Sequence, residues 1–124
     1  DVVALAGEPS IAGIKSSPPV IDAFFQEVVA TAPQGFSVLA GNASAFWPAL
    51  ALGAAGGILA GANVLVAELR AIWDAAAEGD LELARERHRA LWPRYGELDG
   101  VVKLKSVLCA SGLIATAETR PPLG

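Results

Sequence analysis

The sequence predicts an α/β protein built on parallel strands, and three observations carry that expectation. Short apolar runs alternate with stretches whose apolar residues recur at helical spacing. The connections between them are only a few residues long, and glycine, proline and asparagine fall at the joints. Strand and helix units joined this tightly imply parallel strands with right-handed crossovers. With 124 residues and 53% hydrophobic content, the chain is long enough to bury a core, which argues against disorder.

The first unit opens with a strand over Ser10 to Lys15, followed by Ser16-Ser17-Pro18-Pro19, where the prolines suit a loop and then a first helical turn. Residues Val20 to Ala32 then place Ile21, Phe24, Phe25, Val28 and Val29 on one stripe, with Asp22, Gln26 and Glu27 on the polar face. Ala32-Pro33-Gln34-Gly35 stops this helix. The cycle repeats with a strand at Phe36 to Ala40, a turn at Gly41-Asn42 and a short helix over Ser44 to Leu52 closed by Gly53. A third strand is expected at Gly57 to Ala60, then a Gly61-Ala62-Asn63 loop and a helix from Val66 to Glu78. Beyond it the pattern is helical only. Gly79 is the expected C-cap and Asp80 the next N-cap. Leu81, Ala84, His88, Leu91 and Tyr95 share the stripe of the following helix, Gly96 to Gly100 breaks it, and Val101 to Ser111 forms a last helix before Gly112. Arg120-Pro121-Pro122 prevents regular structure from continuing.

Charge and cysteine content narrow the function. The net charge of -4 comes without a basic cluster, so nucleic acid is not an expected partner. A single cysteine, Cys109, makes neither an internal disulfide nor a Cys-x-x-Cys motif, which fits a reducing, cytoplasmic location. No metal site is expected. Asp1 to Pro9 lacks the positive and long apolar regions of a signal peptide and reads as the end of a helix cut from a longer chain. No charge occurs between Glu27 and Glu68, and Gly53, Gly57 and Gly61 recur at small-residue spacing, so a membrane-associated helical protein is the rival reading. Against it, Pro33, Gly35, Gly41, Asn42, Pro48, Gly56-Gly57 and Asn63 cut the segment into short pieces, as buried parallel strands and their helices require.

Four stretches in order, Gly13-Ile14-Lys15-Ser16-Ser17, Val38-Leu39-Ala40-Gly41-Asn42, Leu52-Gly53-Ala54-Ala55-Gly56-Gly57-Ile58 and Ala62-Asn63-Val64, resemble the sixth to eighth strands of the dihydrodipicolinate synthase and N-acetylneuraminate lyase family. Lys105 to Gly112, Leu113-Ile114-Ala115-Thr116 and Arg120-Pro121-Pro122-Leu123 resemble its C-terminal helical segment and Arg-x-Pro signature. The resemblance implies a (β/α)8 TIM barrel, with residues 1–66 as the C-terminal part of the barrel and residues 67–124 as its last helix and the C-terminal helical segment. The Gly56-Gly57 pair before Ile58 and the Ala62-Asn63-Val64-Leu65 run look closest to the 4-hydroxy-2-oxoglutarate and 2-keto-3-deoxy-sugar-acid aldolases within it. Many members carry an acidic residue after the lysine and a Ser-Gly or Thr-Gly pair soon after; this sequence has Ser16 and then Pro18-Pro19, which implies a reshaped loop.

The resemblance implies a class I, pyruvate-dependent aldolase or synthase with Lys15 as the Schiff-base residue, no cofactor, and a homotetramer. A lysine at the C-terminal end of a barrel strand faces the site formed by the strand-to-helix loops, where removal from water favours the neutral amine that attacks a ketone. The alternative is a lysine carrying its ammonium to solvent. Ser17 matches a position close to the substrate, and otherwise reads as a turn or cap serine. Gly41 and Asn42 match the loop after strand seven, where bare backbone approaches the keto acid; the other reading is a turn with Asn42 as cap. Ile58 matches a position that offers a main-chain carbonyl. The family's carboxylate-binding hydroxyl pair and proton-relaying tyrosine belong to earlier strands, so the sequence reads as a C-terminal portion, expected alone to be inactive and to aggregate through open sheet edges. A non-catalytic barrel fragment is the other alternative. His88, flanked by Arg85, Arg87 and Arg89, reads as a helix-surface or interface histidine; Cys109, Trp47, Trp73 and Trp92 read as packing.

Overall fold

The computed structural model describes residues 2–123, so Asp1 and Gly124, the outer ends of the expected 1–66 and 67–124 division, lie outside the described residues. In chain order the elements are α1 (Val2–Leu5), β1 (Gly13–Ser16), α2 (Ala23–Thr31), β2 (Ser37–Ala40), a 3-10 turn (Ala43–Ala45), α3 (Phe46–Ala51), β3 (Gly56–Gly57), α4 (Ala62–Ala77), α5 (Leu81–Glu97) and α6 (Val101–Ala110). The expected α/β alternation is present. The three strands form one parallel sheet in the order β1-β2-β3, with β2 in the centre.

Several boundaries differ from the sequence expectation, each for a local reason. β1 starts at Gly13 rather than Ser10, because Ile11 N–H is turned back onto the Glu8 carbonyl and the ladder opens only with Ser37 N–H donating to Ala12. α2 starts at Ala23 rather than Val20, since Asp22 is not a face residue but the N-cap, accepting from Phe25 N–H at 2.8 Å. β3 is only Gly56–Gly57 rather than Gly57 to Ala60: Ile58 N–H makes the last ladder bond to the Ala40 carbonyl, and the chain then turns, with Ala62 N–H on Leu59. The helix expected from Val66 is preceded by an extra turn from Ala62, set off by a kink at Leu65 with φ -110° and ψ 33°.

Alternation along β2 separates the two sides of the sheet. Val38 and Ala40 are buried under the helices, while Ser37 and Leu39 point the other way and are half-buried. The buried side joins one continuous core with Phe25 and Val28 of α2, Phe46 and Ala49 of α3, and Leu69 and Ile72 of α4. Gly79, at φ +84°, reverses the chain so that α5 packs along α4, a conformation that favours glycine at the position after a helix. Ala84 is completely buried in that contact, and Arg87 Nη1 reaches across to the Ala71 carbonyl at 2.6 Å. Asp80 caps α5 through Leu83 N–H, as expected, and α5 runs through Pro93 to Glu97, two residues beyond Tyr95. No helix among the described residues is long and apolar enough to cross a membrane.

Ile72 has no exposed surface at the centre of the α4 contact. Replacing Ile72 with Ala in the full-length protein is expected to lower stability by about 2–5 kcal/mol, the usual result of an unfilled core cavity. A urea unfolding curve measures it, and a midpoint unchanged from wild type would contradict the assigned core.

Candidate functional site

Parallel pairing puts Lys15 opposite Leu39 and Ser16 opposite Ala40. Lateral neighbours in a sheet share a face, so Lys15 and, two residues on, Ser17 stand on the Leu39 side, away from the face that Val38 and Ala40 bury. Gly41 continues that row: its N–H donates to the Ser16 carbonyl at 2.7 Å. A Cβ on Gly41 would lie 2.8 Å from Lys15 Cε and 2.7 Å from Ser17 Cβ. Only a residue without a side chain fits beneath the lysine stem and the serine, so three of the expected residues, Lys15, Ser17 and Gly41, meet at one point at the C-terminal ends of β1 and β2.

The other two sit close by in sequence register but act differently. Asn42 is the cap of the 3-10 turn: its Oδ1 accepts from Ser44 N–H at 3.0 Å and from Ser44 Oγ at 2.7 Å. Ile58 is attached through its N–H to the Ala40 carbonyl at 2.8 Å, while its side chain is 54% exposed. The expected exclusion of water from Lys15 is not supplied by these elements. Lys15 is exposed, because β1 is an edge of the sheet and pairs only with β2 among the described residues.

Over the same loop lies a cavity of about 590 Å³, within the usual size of small-molecule sites. Gly41, Asn42 and Ser44 form its floor, and Trp92, Tyr95 and Asp99, from the end of α5 and its connection to α6, form the opposite wall. Sequence reasoning did not assign this wall. Its signal was the Gly96 to Gly100 break, which sets Asp99 in a loop. Trp92, expected as packing, is 61% exposed there; Trp47 and Trp73 do pack, through indole hydrogen bonds to the Leu81 and Ala55 carbonyls at 3.3 and 2.9 Å. Cys109 is half-buried on α6.

Behind the wall, His88 is buried at the helix interface. Its Nδ1 shares a 2.9 Å hydrogen bond with the Tyr95 hydroxyl, and the rings of Trp47, Trp92 and Tyr95 surround it. Burial disfavours both charged forms. It lowers the His88 pKa below the ordinary 6.5, and it pushes Tyr95 from 10.0 up to about 12. Among the described residues no group of three His, Cys, Asp or Glu side chains is placed to hold a metal ion.

The family model described as the dihydrodipicolinate synthetase family matches residues 1–124. A 4-hydroxy-tetrahydrodipicolinate synthase of Limosilactobacillus fermentum is 34% identical over 98% of this chain and 39% of its own length; one from Thermus thermophilus is 34% identical over 94% of this chain and 39% of its own. Among solved structures, dihydrodipicolinate synthase from Aquifex aeolicus superposes with a TM-score of 0.86 at 32% identity, covering 99% of this chain and 43% of that one. A monomeric dihydrodipicolinate synthase variant gives 0.87 at 28% identity, covering 98% and 42%. The chain thus spans 39% of the length of those curated relatives, and the fold it shares is that part of a TIM barrel. These relatives carry the synthase name rather than an aldolase name.

Two outcomes are expected from this geometry. Gly41→Ala should push the Lys15 stem and Ser17 off this point while leaving the circular dichroism spectrum unchanged; a crystal structure of the full-length variant with both side chains unmoved would contradict the close approach. The His88 contribution to stability is complete above pH 6.5 and lost as pH falls toward the lowered folded value, whereas the Tyr95 contribution is complete below pH 10.0 and lost as pH rises toward about 12. Urea midpoints between pH 5 and 8 should therefore fall on acidification more steeply in wild type than in His88→Gln; equal slopes would contradict the burial of this imidazole.

Proposed function

The chain belongs to the dihydrodipicolinate synthetase family, and from that premise we propose that the protein is a lyase or synthase that makes or breaks a carbon-carbon bond between pyruvate, or another 2-oxo acid, and an aldehyde through a Schiff base on Lys15. The observation that carries the proposal is the position of Lys15: its stem lies over bare Gly41 at the mouth of parallel strands, beside Ser17. Active sites of (β/α)8 enzymes lie at that end of the strands.

The neutral Nζ of Lys15 adds to the C2 ketone, and loss of water gives an imine. Protonated, its nitrogen withdraws electrons from the neighbouring methyl carbon, which gives up a proton and becomes the nucleophilic end of an enamine. That carbon bonds to the aldehyde carbon, whose oxygen takes up a proton. Hydrolysis then returns the amine and releases the product, and cleavage runs the same steps in reverse. In this reading Gly41 lets main chain approach the keto acid, Asn42 contacts the tail of that keto acid, the Ile58 carbonyl contacts the adduct, and Ser17 meets the distal part of the acceptor. Removal of the amine from water comes from strands that pair with β1 in the complete barrel. Barrel and C-terminal helical segment divide near residue 66, the location is cytoplasmic, and no cofactor takes part. The family resemblance also implies a homotetramer; since one similar structure is described as a monomeric variant, sedimentation of the full-length protein decides between the two.

Borohydride reduction of the full-length protein with saturating pyruvate should add one reduced pyruvyl group to the peptide carrying Lys15, read by mass spectrometry. Lys15→Arg should abolish both the label and the turnover, because the guanidinium has no free amine to form the imine. Labelling elsewhere, or none, would reject this chemistry.

A further inference from the structure

β3 consists of Gly56 and Gly57 alone, so no side chain of its own fastens it to the sheet. Close packing requires that bareness: a Cβ on Gly57 would lie 2.9 Å from Phe46 Cε2 and 3.1 Å from the Ala40 carbonyl oxygen. The course of the strand therefore depends on how its ends are held. Ala55 N–H donates to the Val38 carbonyl at 2.9 Å, and Ile58 N–H to the Ala40 carbonyl at 2.8 Å. The donors lie three residues apart and the acceptors only two, so pairing is uneven over this stretch, and glycine, the most freely rotating residue, occupies both positions between.

Both ends meet β2, and the start has a further anchor outside the sheet. Trp73 Nε1 on α4 donates to the Ala55 carbonyl at 2.9 Å, so both the N–H and the carbonyl of Ala55 are engaged. The indole also lies beside the strand: a Cβ on Gly56 would be 3.6 Å from Trp73 Nε1 and 3.9 Å from its Cδ1. The ring is itself held in place. The Arg70 guanidinium stacks over it, 5.0 Å from the centroid, and is tied to Asp74 at 2.7 Å. Leu69 and Ile72 bury α4 in the core, so the indole is carried by a fixed element and reaches from it to the backbone that leads into β3.

We infer that Trp73 is a positioning residue for the reaction: by holding the Ala55 carbonyl it sets the course of Gly56 and Gly57, and with it the orientation of the Ile58 main chain at the strand mouth. The inference rests on the Schiff-base reading of Lys15 and on the contact which that reading gives to the Ile58 carbonyl. Its effect falls on steps after the imine has formed, since Lys15 and Gly41 are set by the pairing of β1 with β2, in which Trp73 takes no part.

The test compares the full-length protein with its Trp73→Phe variant, which keeps an aromatic ring and removes the N–H donor. Pyruvate is the only probe needed. Borohydride reduction at saturating pyruvate counts the sites that form the imine, and exchange of the pyruvate methyl protons for deuterium, followed by NMR in heavy water, measures passage from imine to enamine. Expressed per labelled site, the exchange rate is independent of how much of a sample is folded. Trp73→Phe should still label Lys15, with a maximal exchange rate per labelled site about tenfold lower, the scale of one lost hydrogen-bonding contact in the transition state, and a KM for pyruvate changed less than twofold. A maximal rate per labelled site equal to that of wild type overturns the inference while leaving the lysine chemistry standing. Loss of the label in the variant alone overturns it too, because the indole would then be a requirement of the fold. Absence of the label in wild type removes the Schiff-base reading and this inference together.

Discussion

One parallel pairing governs the rest: β1 lies on β2 in the register that sets Lys15 opposite Leu39 and brings Gly41 beneath its stem. A slip of one residue would turn Lys15 and Ser17 to the helical side, against Val38 and Ala40, where a charge has no partner. The register is held by main-chain bonds along the strands and by burial of those two side chains on a single face. Given that register, the bareness of Gly41 is a steric requirement. The lysine lies low over the strand ends because nothing projects from the backbone under it.

The helices act on this site from a second direction. α4 carries the core contact behind the sheet, and the short turn at Gly79 folds α5 along it, which brings the end of α5 back over the strand mouth. The buried His88–Tyr95 hydrogen bond and the surrounding indoles fix this end of α5 against the turn after β2. Trp92 and Asp99 take their places from that packing. Core, helical hairpin and cavity wall are consequently one mechanical unit: the same burial that makes His88 reluctant to protonate holds the wall in place.

Much of this was legible in the sequence, because apolar period and turn residues report local structure directly. The α/β alternation, the Gly79 and Asp80 caps and the stripe through Ala84, His88, Leu91 and Tyr95 follow from side-chain chemistry alone. The errors fell where long-range pairing decides. Ser10-Ile11 has the composition of a strand, yet its backbone is spent on a turn to Glu8; Leu59 and Ala60 have it too, yet the chain leaves the sheet after Ile58. Asp22 looked like a helical-face residue because a cap and a first-turn acid have the same identity. The five expected site residues came from resemblance; proximity of Lys15, Ser17 and Gly41 emerges only from the register, and exposure of Lys15 only from the sheet edge. The Gly96 to Gly100 break marks a loop at Asp99, but Trp92 and Asp99 were not assigned to a cavity wall, since nothing in the sequence tells which way the end of α5 turns.

The central claim is that Lys15, lying over Gly41, is the atom-for-atom point of attachment of a 2-oxo acid. Crystals of the full-length protein soaked in pyruvate address it most directly. The account predicts continuous electron density from Lys15 Nζ to the pyruvate C2, with the adduct over the Gly41 backbone. Pyruvate held without a covalent bond, while the Lys15 stem points away from Gly41, would contradict it.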